Sequence, residues 1–303
     1  MSLLIIGSIA FDSIKTPFGR VKKAIGGSAV YASIAASYFV KPIVVGVVGK
    51  NFKREYIKML QKHNIDTSYI QVTEGKTFFW QGYYEYDLNV AHTVKTEVNV
   101  FARFNPTLSP ELKNIKFVFL GNINPELQYN VYTQINNPVL VACDTIDCWI
   151  ENKRKELKKI LKVVDILFIN ESEIRKLAEE YNILKAAKYV KKLGTKIVVV
   201  KRGEYGAICF YGDKIFSTPA YPLENVYDPT GAGDSFAGGV MGYLTLSLSN
   251  GKKFSEKLLR QAVIYGTATA SFCVEDFSIN KIYNISYSDI IRRYNEIKRL
   301  ITF

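Results

Sequence analysis

The stretch Asp228-Pro229-Thr230-Gly231-Ala232-Gly233-Asp234-Ser235-Phe236-Ala237-Gly238-Gly239 is the most informative part of this 303-residue sequence. Its small residues lead into an apolar-periodic stretch over 233–248, which predicts a helix that begins here. At a helix start the free N–H groups and the helix dipole form an anion site. Gly231, Ala232 and Gly233 would let the backbone of that start approach a ligand closely.

Asp234 lies at the same predicted helix start. A carboxylate beside an anion site would repel a bound phosphate. It fits a reaction in which the carboxylate takes a proton from an attacking hydroxyl while the N–H groups stabilise a transferring phosphoryl group. Aspartate is also an ordinary helix N-cap residue, so the local pattern leaves a purely structural role open.

Apolar strand-like runs alternate with helix-capable polar segments along most of the chain. The runs lie at 3–9, 42–48, 117–120, 139–142, 166–169 and 197–200. This alternation predicts an α/β fold with a doubly wound, mostly parallel sheet flanked by helices. The segments 198–201, 207–211 and 214–218 predict a small antiparallel extension, with Gly212-Asp213 as a turn.

Residues 77–104 interrupt this alternation, because they are rich in aromatic and β-branched residues. They predict an antiparallel hairpin that stands off the main sheet, to which 11–21 adds a further strand. Four aromatic side chains of this region could stack on a sugar or a base, or pack against the main domain or a partner chain: Trp80, Tyr83, Tyr84 and Tyr86. An exposed aromatic sheet of this kind is also a possible homodimer surface.

The composition excludes several classes of protein. The chain has 40 Lys and Arg against 28 Asp and Glu, a net charge of +12, which first suggests a nucleic acid or an anionic membrane as partner. The basic residues are dispersed, however, and the densest stretch, 153–162, has the pattern of an amphipathic helix. No helix-turn-helix, zinc or RNA-binding signature is present, so nucleic acid is not the expected partner.

Membrane, metal and disulfide classes are also disfavoured. The longest near-apolar stretch, 30–40, is shorter than the roughly 20 residues that a membrane span needs, and no targeting signal is present, so a cytoplasmic protein is expected. The four cysteines form no C-x-x-C pair, and two histidines cannot build a histidine zinc site. The P-loop, the protein-kinase signatures and the dinucleotide G-x-G-x-x-G are absent.

The 228–239 segment resembles the C-terminal signature of the ribokinase-like (PfkB) family of carbohydrate and nucleoside kinases. Three other segments resemble the family's motifs in the right order. They are the glycine pair Gly26-Gly27, the N-x-x-E motif at 170–173, and the nucleotide-site strand and turn at 200–206. The resemblance runs from about residue 3 to the last helix.

The resemblance implies one ribokinase-like domain over 1–303, with a lid formed by 11–22 and 77–104. It implies transfer of the γ-phosphoryl group of ATP to a hydroxyl of a small sugar or sugar-like substrate. A nucleoside kinase of the same family is the alternative. Asp234 would be the catalytic base, and Gly231, Ala232 and Gly233 the anion hole.

The resemblance also assigns the binding residues. Glu173 would organise Mg²⁺ and the phosphates through water. The positions expected near the nucleotide are Asn170, Glu173, Lys201, Gly203 and Gly206. Those expected near the acceptor are Asp12, Gly26 and Gly27, together with Asp234. A carboxylate such as Asp12 suits paired hydroxyl donors.

The sequence departs from the family pattern at three places. Tyr31 and Asp147 stand where asparagine is usual, which raises the alternative of a non-catalytic homologue that binds a sugar or nucleoside. The usual Gly-Ala pair after the long helix is replaced by 274–277, Val-Glu-Asp-Phe, which puts a monovalent-cation (K⁺) site in doubt. Asp228 could still support such a site.

Overall fold

A nine-stranded sheet and a separate four-stranded sheet organise the computed structural model, which describes residues 2–302. Numbered along the chain, the strands are β1 (Ser2–Ile6), β2 (Ala10–Thr16), β3 (Gly19–Gly26), β4 (Lys41–Gly49), β5 (Asp66–Thr73), β6 (Phe78–Tyr84), β7 (Ala91–Glu97), β8 (Phe117–Leu120), β9 (Leu140–Asp144), β10 (Ile166–Asn170), β11 (Ile197–Lys201), β12 (Ala207–Tyr211) and β13 (Lys214–Thr218).

Helices connect most of these strands. In chain order they are α1 (Ser28–Ser37), α2 (Arg54–Lys62), α3 (Pro110–Lys113), α4 (Pro125–Tyr132), α5 (Asp147–Asn152), α6 (Arg154–Leu161), α7 (Glu171–Ala178), α8 (Ile183–Leu193), α9 (Ala232–Ser249), α10 (Glu256–Cys273), α11 (Asn280–Tyr283) and α12 (Tyr287–Leu300). Two 3₁₀ helices span Asn99–Arg103 and Gly203–Tyr205. No helix of residues 2–302 is both long enough and apolar enough to cross a membrane.

The large sheet has the strand order β13-β12-β11-β10-β9-β8-β1-β4-β5. The strands from β11 to β5 run parallel, whereas β12 and β13 add an antiparallel extension. The predicted doubly wound α/β fold and the predicted extension are therefore confirmed. The alternation of apolar runs revealed this topology because parallel strands are buried on both faces.

Alternate residues of the central strands pack into two separate hydrophobic cores, one on each face of the large sheet. On β1, Leu3 and Ile5 contact the layer formed by α1, α2 and α9–α12. Leu4 and Ile6 point to the opposite face, which is covered by α3–α8. This alternation follows from the two-residue repeat of a strand, and all four side chains are fully buried.

The small sheet has the order β3-β2-β6-β7. The β2–β3 and β6–β7 pairs are antiparallel, and β2–β6 is parallel, so the sheet is mixed. The prediction of a single strand over 11–21 was wrong, because the chain turns at Pro17-Phe18 and returns as β3. Strand β3 is basic and largely exposed, so its sequence lacks the apolar alternation that would have revealed it.

Candidate functional site

The carboxyl ends of three neighbouring strands bring together the first group of candidate site residues. Asp144, Asn170 and Lys201 are the last residues of β9, β10 and β11. The register pairs Phe168 with Asp144 and Asn170 with Lys201, so the three ends lie side by side. This edge is where open α/β sheets bind ligands.

A buried ion pair joins the ends of β9 and β11. The Lys201 Nζ donates to Asp144 Oδ2 at 2.6 Å, and the Thr145 N–H donates to the other oxygen, Oδ1, at 2.8 Å. The neighbouring carboxylates outweigh burial and raise the pKa of Lys201, so the lysine is charged. Its Nζ lies 3.0 Å from the point that a Cβ on Gly233 would occupy, which places the charge against the start of α9.

Asp234 lies in the first turn of α9, beside this ammonium group. Its Oδ1 is buried and has no hydrogen-bond partner among the described residues. Burial, followed by the nearby charge of Asp144, raises the pKa of Asp234 to about 7, although Lys201 opposes the shift. Asp234 therefore has an unused carboxylate oxygen that can gain or lose a proton near neutral pH.

Two of the three residues predicted to form an anion hole have backbone N–H groups with no acceptor within residues 2–302. Gly231 takes a left-handed conformation (φ 77°) immediately before α9 begins. The Ala232 N–H already donates to the Pro229 carbonyl at 3.2 Å, so a phosphoryl oxygen would have to compete for it. The N–H groups of Gly231, Gly233 and Asp234 have no acceptor within residues 2–302. The free donors are thus Gly231, Gly233 and Asp234 rather than the three consecutive residues 231–233.

Asn170 and Glu173 form a capping box at the start of α7. The Asn170 Oδ1 accepts the Glu173 N–H at 2.8 Å, and the Glu173 Oε2 accepts the Asn170 N–H at 2.8 Å. Burial raises the pKa of Glu173 to about 8, with Lys201 opposing and Asp144 reinforcing the shift. The motif therefore has a structural role of its own and also holds Glu173 near the Asp144–Lys201 pair.

Asp12 lies on β2 of the small sheet and is buried. Burial, followed by the charge of Asp228, raises the pKa of Asp12 to about 8, although a hydrogen bond from the Gly27 backbone opposes the shift. A Cβ on Gly26 would collide with the Asp12 carboxylate, and a Cβ on Gly27 would collide with the Ser8 carbonyl. The glycine pair, predicted to make room for a substrate, thus makes room for the protein's own groups.

The small sheet contacts two parts of the site. The Thr230 hydroxyl donates to the Tyr84 hydroxyl at 3.1 Å, which joins the end of β6 to the loop before α9. Asn89, in the loop between β6 and β7, reaches Gly203, where a Cβ would collide with its side-chain oxygen. Gly203 belongs to a tight turn in which the Gly206 N–H donates to the Gly203 carbonyl at 3.1 Å.

The other three aromatic residues singled out in the sequence form no hydrogen bond to the loop before α9 within residues 2–302. The Trp80 indole donates to Thr93 at 3.1 Å, and the Tyr83 ring stacks on His92. Tyr86 is 87% exposed. Of the four aromatic residues singled out in the sequence, only Tyr84 therefore hydrogen-bonds to that loop.

Asp228, which was predicted to support a monovalent-cation site if one exists, is held by donors of the chain itself. Its Oδ1 accepts the Thr230 N–H at 2.9 Å and its Oδ2 accepts the Ser278 N–H at 3.0 Å. The Cys273 Sγ lies 3.5 Å from the Thr230 carbonyl oxygen, to which it donates. The chain's own donors thus hold this loop, and each oxygen of the fully buried Asp228 already accepts one N–H.

The same region holds more carboxyl groups than ammonium groups. Asp144, Glu173 and Asp234 face a single ammonium, that of Lys201. No group of three or more His, Cys, Asp or Glu within the described residues could hold a metal ion directly. The carboxylates therefore fit a hydrated divalent cation that arrives with a phosphate ligand better than a cation held by protein atoms alone.

Sequence reasoning missed two residues of this site. Asp144 was not among the predicted site residues, and its partner Lys201 is 57 residues away in the chain. Tyr31 was noticed only as a departure from a pattern, yet its buried ring lies against Gly231. Both relationships depend on tertiary contacts that a single sequence does not contain.

The fold and the site together define a kinase of the type that phosphorylates sugars and nucleosides. The sequence profile of the pfkB family carbohydrate kinases matches residues 3–282, and the chain belongs to this family. It is 32% identical over 250 residues to a cytidine kinase of Thermococcus kodakarensis, covering 80% of this chain and 87% of that protein. It is 27% identical over 289 residues to a nucleoside kinase of Methanothermobacter thermautotrophicus, covering 90% and 89% of the two chains.

Solved structures share the fold at lower identity. The nucleoside kinase of Methanocaldococcus jannaschii superposes with a TM-score of 0.76 at 20% identity, covering 97% of this chain and 98% of that one. A ribokinase-like protein of E. coli in complex with ATP and Mg²⁺ gives a TM-score of 0.80 at 18% identity, covering 97% and 99%. The enzyme class predicted from the sequence, a phosphotransferase that acts on an alcohol group, is thereby confirmed.

Proposed function

We propose that this protein is an ATP-dependent nucleoside kinase that transfers the γ-phosphoryl group to a hydroxyl of the ribose. One observation carries the chemistry: the buried Oδ1 of Asp234 and the N–H groups of Gly233 and Asp234 at the start of α9 have no hydrogen-bond partner within residues 2–302, and they lie together beside the Lys201 ammonium. A proton acceptor and a set of phosphate-binding donors thus meet at one point, which is what phosphoryl transfer to a hydroxyl requires.

The proposal that the acceptor is a nucleoside rests on the proteins to which this chain is similar. The sequence first indicated a sugar, with a nucleoside as the alternative. The cytidine kinase and the nucleoside kinase that resemble this chain over most of its length favour the nucleoside. The unpartnered carboxylate of Asp234 argues against a non-catalytic homologue, because a binding protein gains nothing from a buried charge without a partner.

Each residue has a separate task in the proposed reaction. The Asp234 Oδ1 accepts the proton of the attacking hydroxyl. The N–H groups of Gly231 and Gly233, with the Lys201 ammonium, bind the negative charge of the transferring group. Asp12 binds a second hydroxyl of the ribose.

Mg²⁺ would be held through water by Glu173 and would neutralise phosphate charge. Asn170, Gly203 and Gly206 would surround the nucleotide. The small sheet, formed by β2, β3, β6 and β7, would act as a lid, with Tyr84 closing it on the loop before α9. This lid would keep water from the buried carboxylates during transfer.

An ADP-release assay over cytidine, uridine, adenosine, guanosine, inosine, ribose and fructose tests the proposal. We expect turnover with at least one nucleoside and a loss of about 10²- to 10⁴-fold in Asp234→Asn. Asp165→Asn is the matched control, because Asp165 pairs with Lys196 at the opposite end of the same strands. Turnover with sugars only would overturn the nucleoside assignment. Full turnover in Asp234→Asn would overturn the role of the base.

A further inference from the structure

The Asp144–Lys201 pair bridges two strands that are not neighbours. Asp144 ends β9 and Lys201 ends β11, and β10 lies between them. Adjacent strands are roughly 5 Å apart, so the pair spans about 10 Å across the end of β10. The bridge thus joins the two strands on either side of β10, whose last residue is Asn170.

Asp144 is fully engaged with protein donors. One of its oxygens accepts the Thr145 N–H and the other accepts the Lys201 Nζ, and the residue is 1% exposed. Both oxygens of Asp144 thus already accept a protein hydrogen bond, and the side chain is shielded from solvent. Asp144 is therefore better placed to act on a ligand through the lysine than by direct contact.

The Lys201 ammonium has N–H donors that are not used by Asp144. An ammonium has three N–H donors, and within residues 2–302 the structure gives Nζ one hydrogen bond, to Asp144. The Nζ lies against Gly233, where the first turn of α9 has free N–H groups. The remaining ammonium donors can therefore serve the same anion as those N–H groups.

We propose that Asp144 is a positioning residue, which holds the Lys201 ammonium over the first turn of α9 so that lysine and helix start bind one phosphoryl group together. The inference rests on the proposed function, because it assigns Asp144 a role in the same site. A lysine side chain has about 2 kcal/mol of rotamer entropy. The buried carboxylate restricts that freedom before any substrate arrives, and the lysine is then preorganised for the anion.

The pair should also set the protonation of Asp234. The charged and titratable groups around Asp234 come from several elements, and they are Asp144 on β9, Lys201 on β11, Asp12 on β2 and Cys273 on α10. Asp144 raises the pKa of Asp234 and Lys201 lowers it. Removing one charge of the pair or the other should therefore shift this pKa in opposite directions.

The test compares Asp144→Asn, Lys201→Met and the double variant with wild type and with the Asp165→Asn control. We expect kcat to fall about tenfold or more in Asp144→Asn, with little change in the acceptor KM, and to stay near wild type in Asp165→Asn. The rising limb of kcat/KM against pH should move to lower pH in Asp144→Asn and to higher pH in Lys201→Met. If the pair had only a structural role, the rising limb would not move in opposite directions in the two variants.

A second measurement is independent of turnover. Titration of the Asp234 carboxyl carbon by ¹³C NMR, assigned with Asp234→Asn, reads its pKa in the free protein. If the wild type phosphorylates no acceptor, the proposed function fails, and opposite shifts in this titration still support the positioning. If Lys201→Met does not fold because Asp144 is left unpaired, the double variant replaces it. The pKa of Asp234 should then be higher in the double variant than in Asp144→Asn, because only the double variant lacks the Lys201 ammonium. Equal kcat and equal titration in Asp144→Asn and Asp165→Asn would overturn the inference.

Discussion

The ring of Tyr31 lies against the α-carbon of Gly231, so that a Cβ at position 231 would collide with it. Gly231 also has a positive φ of 77°, which side chains other than glycine adopt at a cost. Two independent constraints thus require glycine at the residue that precedes α9. Because Tyr31 is on α1, which directly follows Gly26-Gly27, this contact links that glycine pair to the start of α9.

Gly231→Ala should therefore lose both stability and turnover. We expect a fall of about 2–4 kcal/mol in the free energy of unfolding, because the strained φ and the collision with Tyr31 add up. Gly251→Ala is the matched control, since Gly251 has a φ of 83° and open space around its α-carbon. It should lose only about 1–2 kcal/mol. Urea unfolding of the two variants checks the difference, and equal losses would contradict the role of Tyr31.

The buried carboxylates predict how stability depends on pH. The pKa values of Asp12, Glu173 and Asp234 are raised to about 8, 8 and 7, mainly by burial. Between the ordinary carboxyl pKa of about 4 and these values, the folded chain binds more protons than the unfolded chain. The free energy of unfolding should therefore fall as the pH rises from 5 to 8.

Asp12→Asn isolates one of these groups. It removes a titrating carboxylate but keeps an oxygen that can accept the hydrogen bond from the Gly27 backbone. The free energy of unfolding of the variant minus that of wild type should be larger at pH 8 than at pH 5. The reason is that only the wild type must ionise a buried Asp12 at pH 8. Thermal unfolding across this range measures the slope. Asp213→Asn, in the exposed turn between β12 and β13, should keep the wild-type slope. An unchanged slope in Asp12→Asn would show that Asp12 titrates normally.

The hydrogen bonds of Asp228 predict that turnover does not depend on K⁺. The Thr230 and Ser278 N–H groups already occupy both carboxylate oxygens. Initial rates in KCl and in tetramethylammonium chloride, at matched ionic strength and pH, should agree within error. Stimulation by K⁺ but not by tetramethylammonium would mean that the loop at 228–230 rearranges around the cation.

The sequence predicted the central strands of the large sheet well because they are continuous apolar runs, buried on both faces. It also predicted which residues lie at the strand ends, since Asn170 and Lys201 directly follow such runs. It did not predict the edge strand β5, which is polar and largely exposed. It could not predict the pairing of Lys201 with Asp144 or of Tyr84 with Thr230. These partners are 57 and 146 residues apart, and only the folded chain brings them together.

The bond between Tyr84 and Thr230 predicts a measurable effect on the acceptor. It is the contact that joins the end of β6 to the loop before α9, so it should stabilise the closed position of the small sheet over the site. Tyr84→Phe removes the hydroxyl and keeps the ring. Losing one hydrogen bond costs roughly 0.5–1.5 kcal/mol, which corresponds to about a 2- to 10-fold increase in the acceptor KM.

The melting temperature of Tyr84→Phe should change little, because the large sheet and its two cores do not involve this contact. Tyr86→Phe is the matched control, since Tyr86 belongs to the same sheet region and is largely exposed. Steady-state kinetics of both variants with the preferred nucleoside measure the KM ratio. An increase of the same size in Tyr86→Phe would point to a general effect on the small sheet. An unchanged KM in Tyr84→Phe would mean that closure of the sheet over the acceptor does not depend on this hydroxyl.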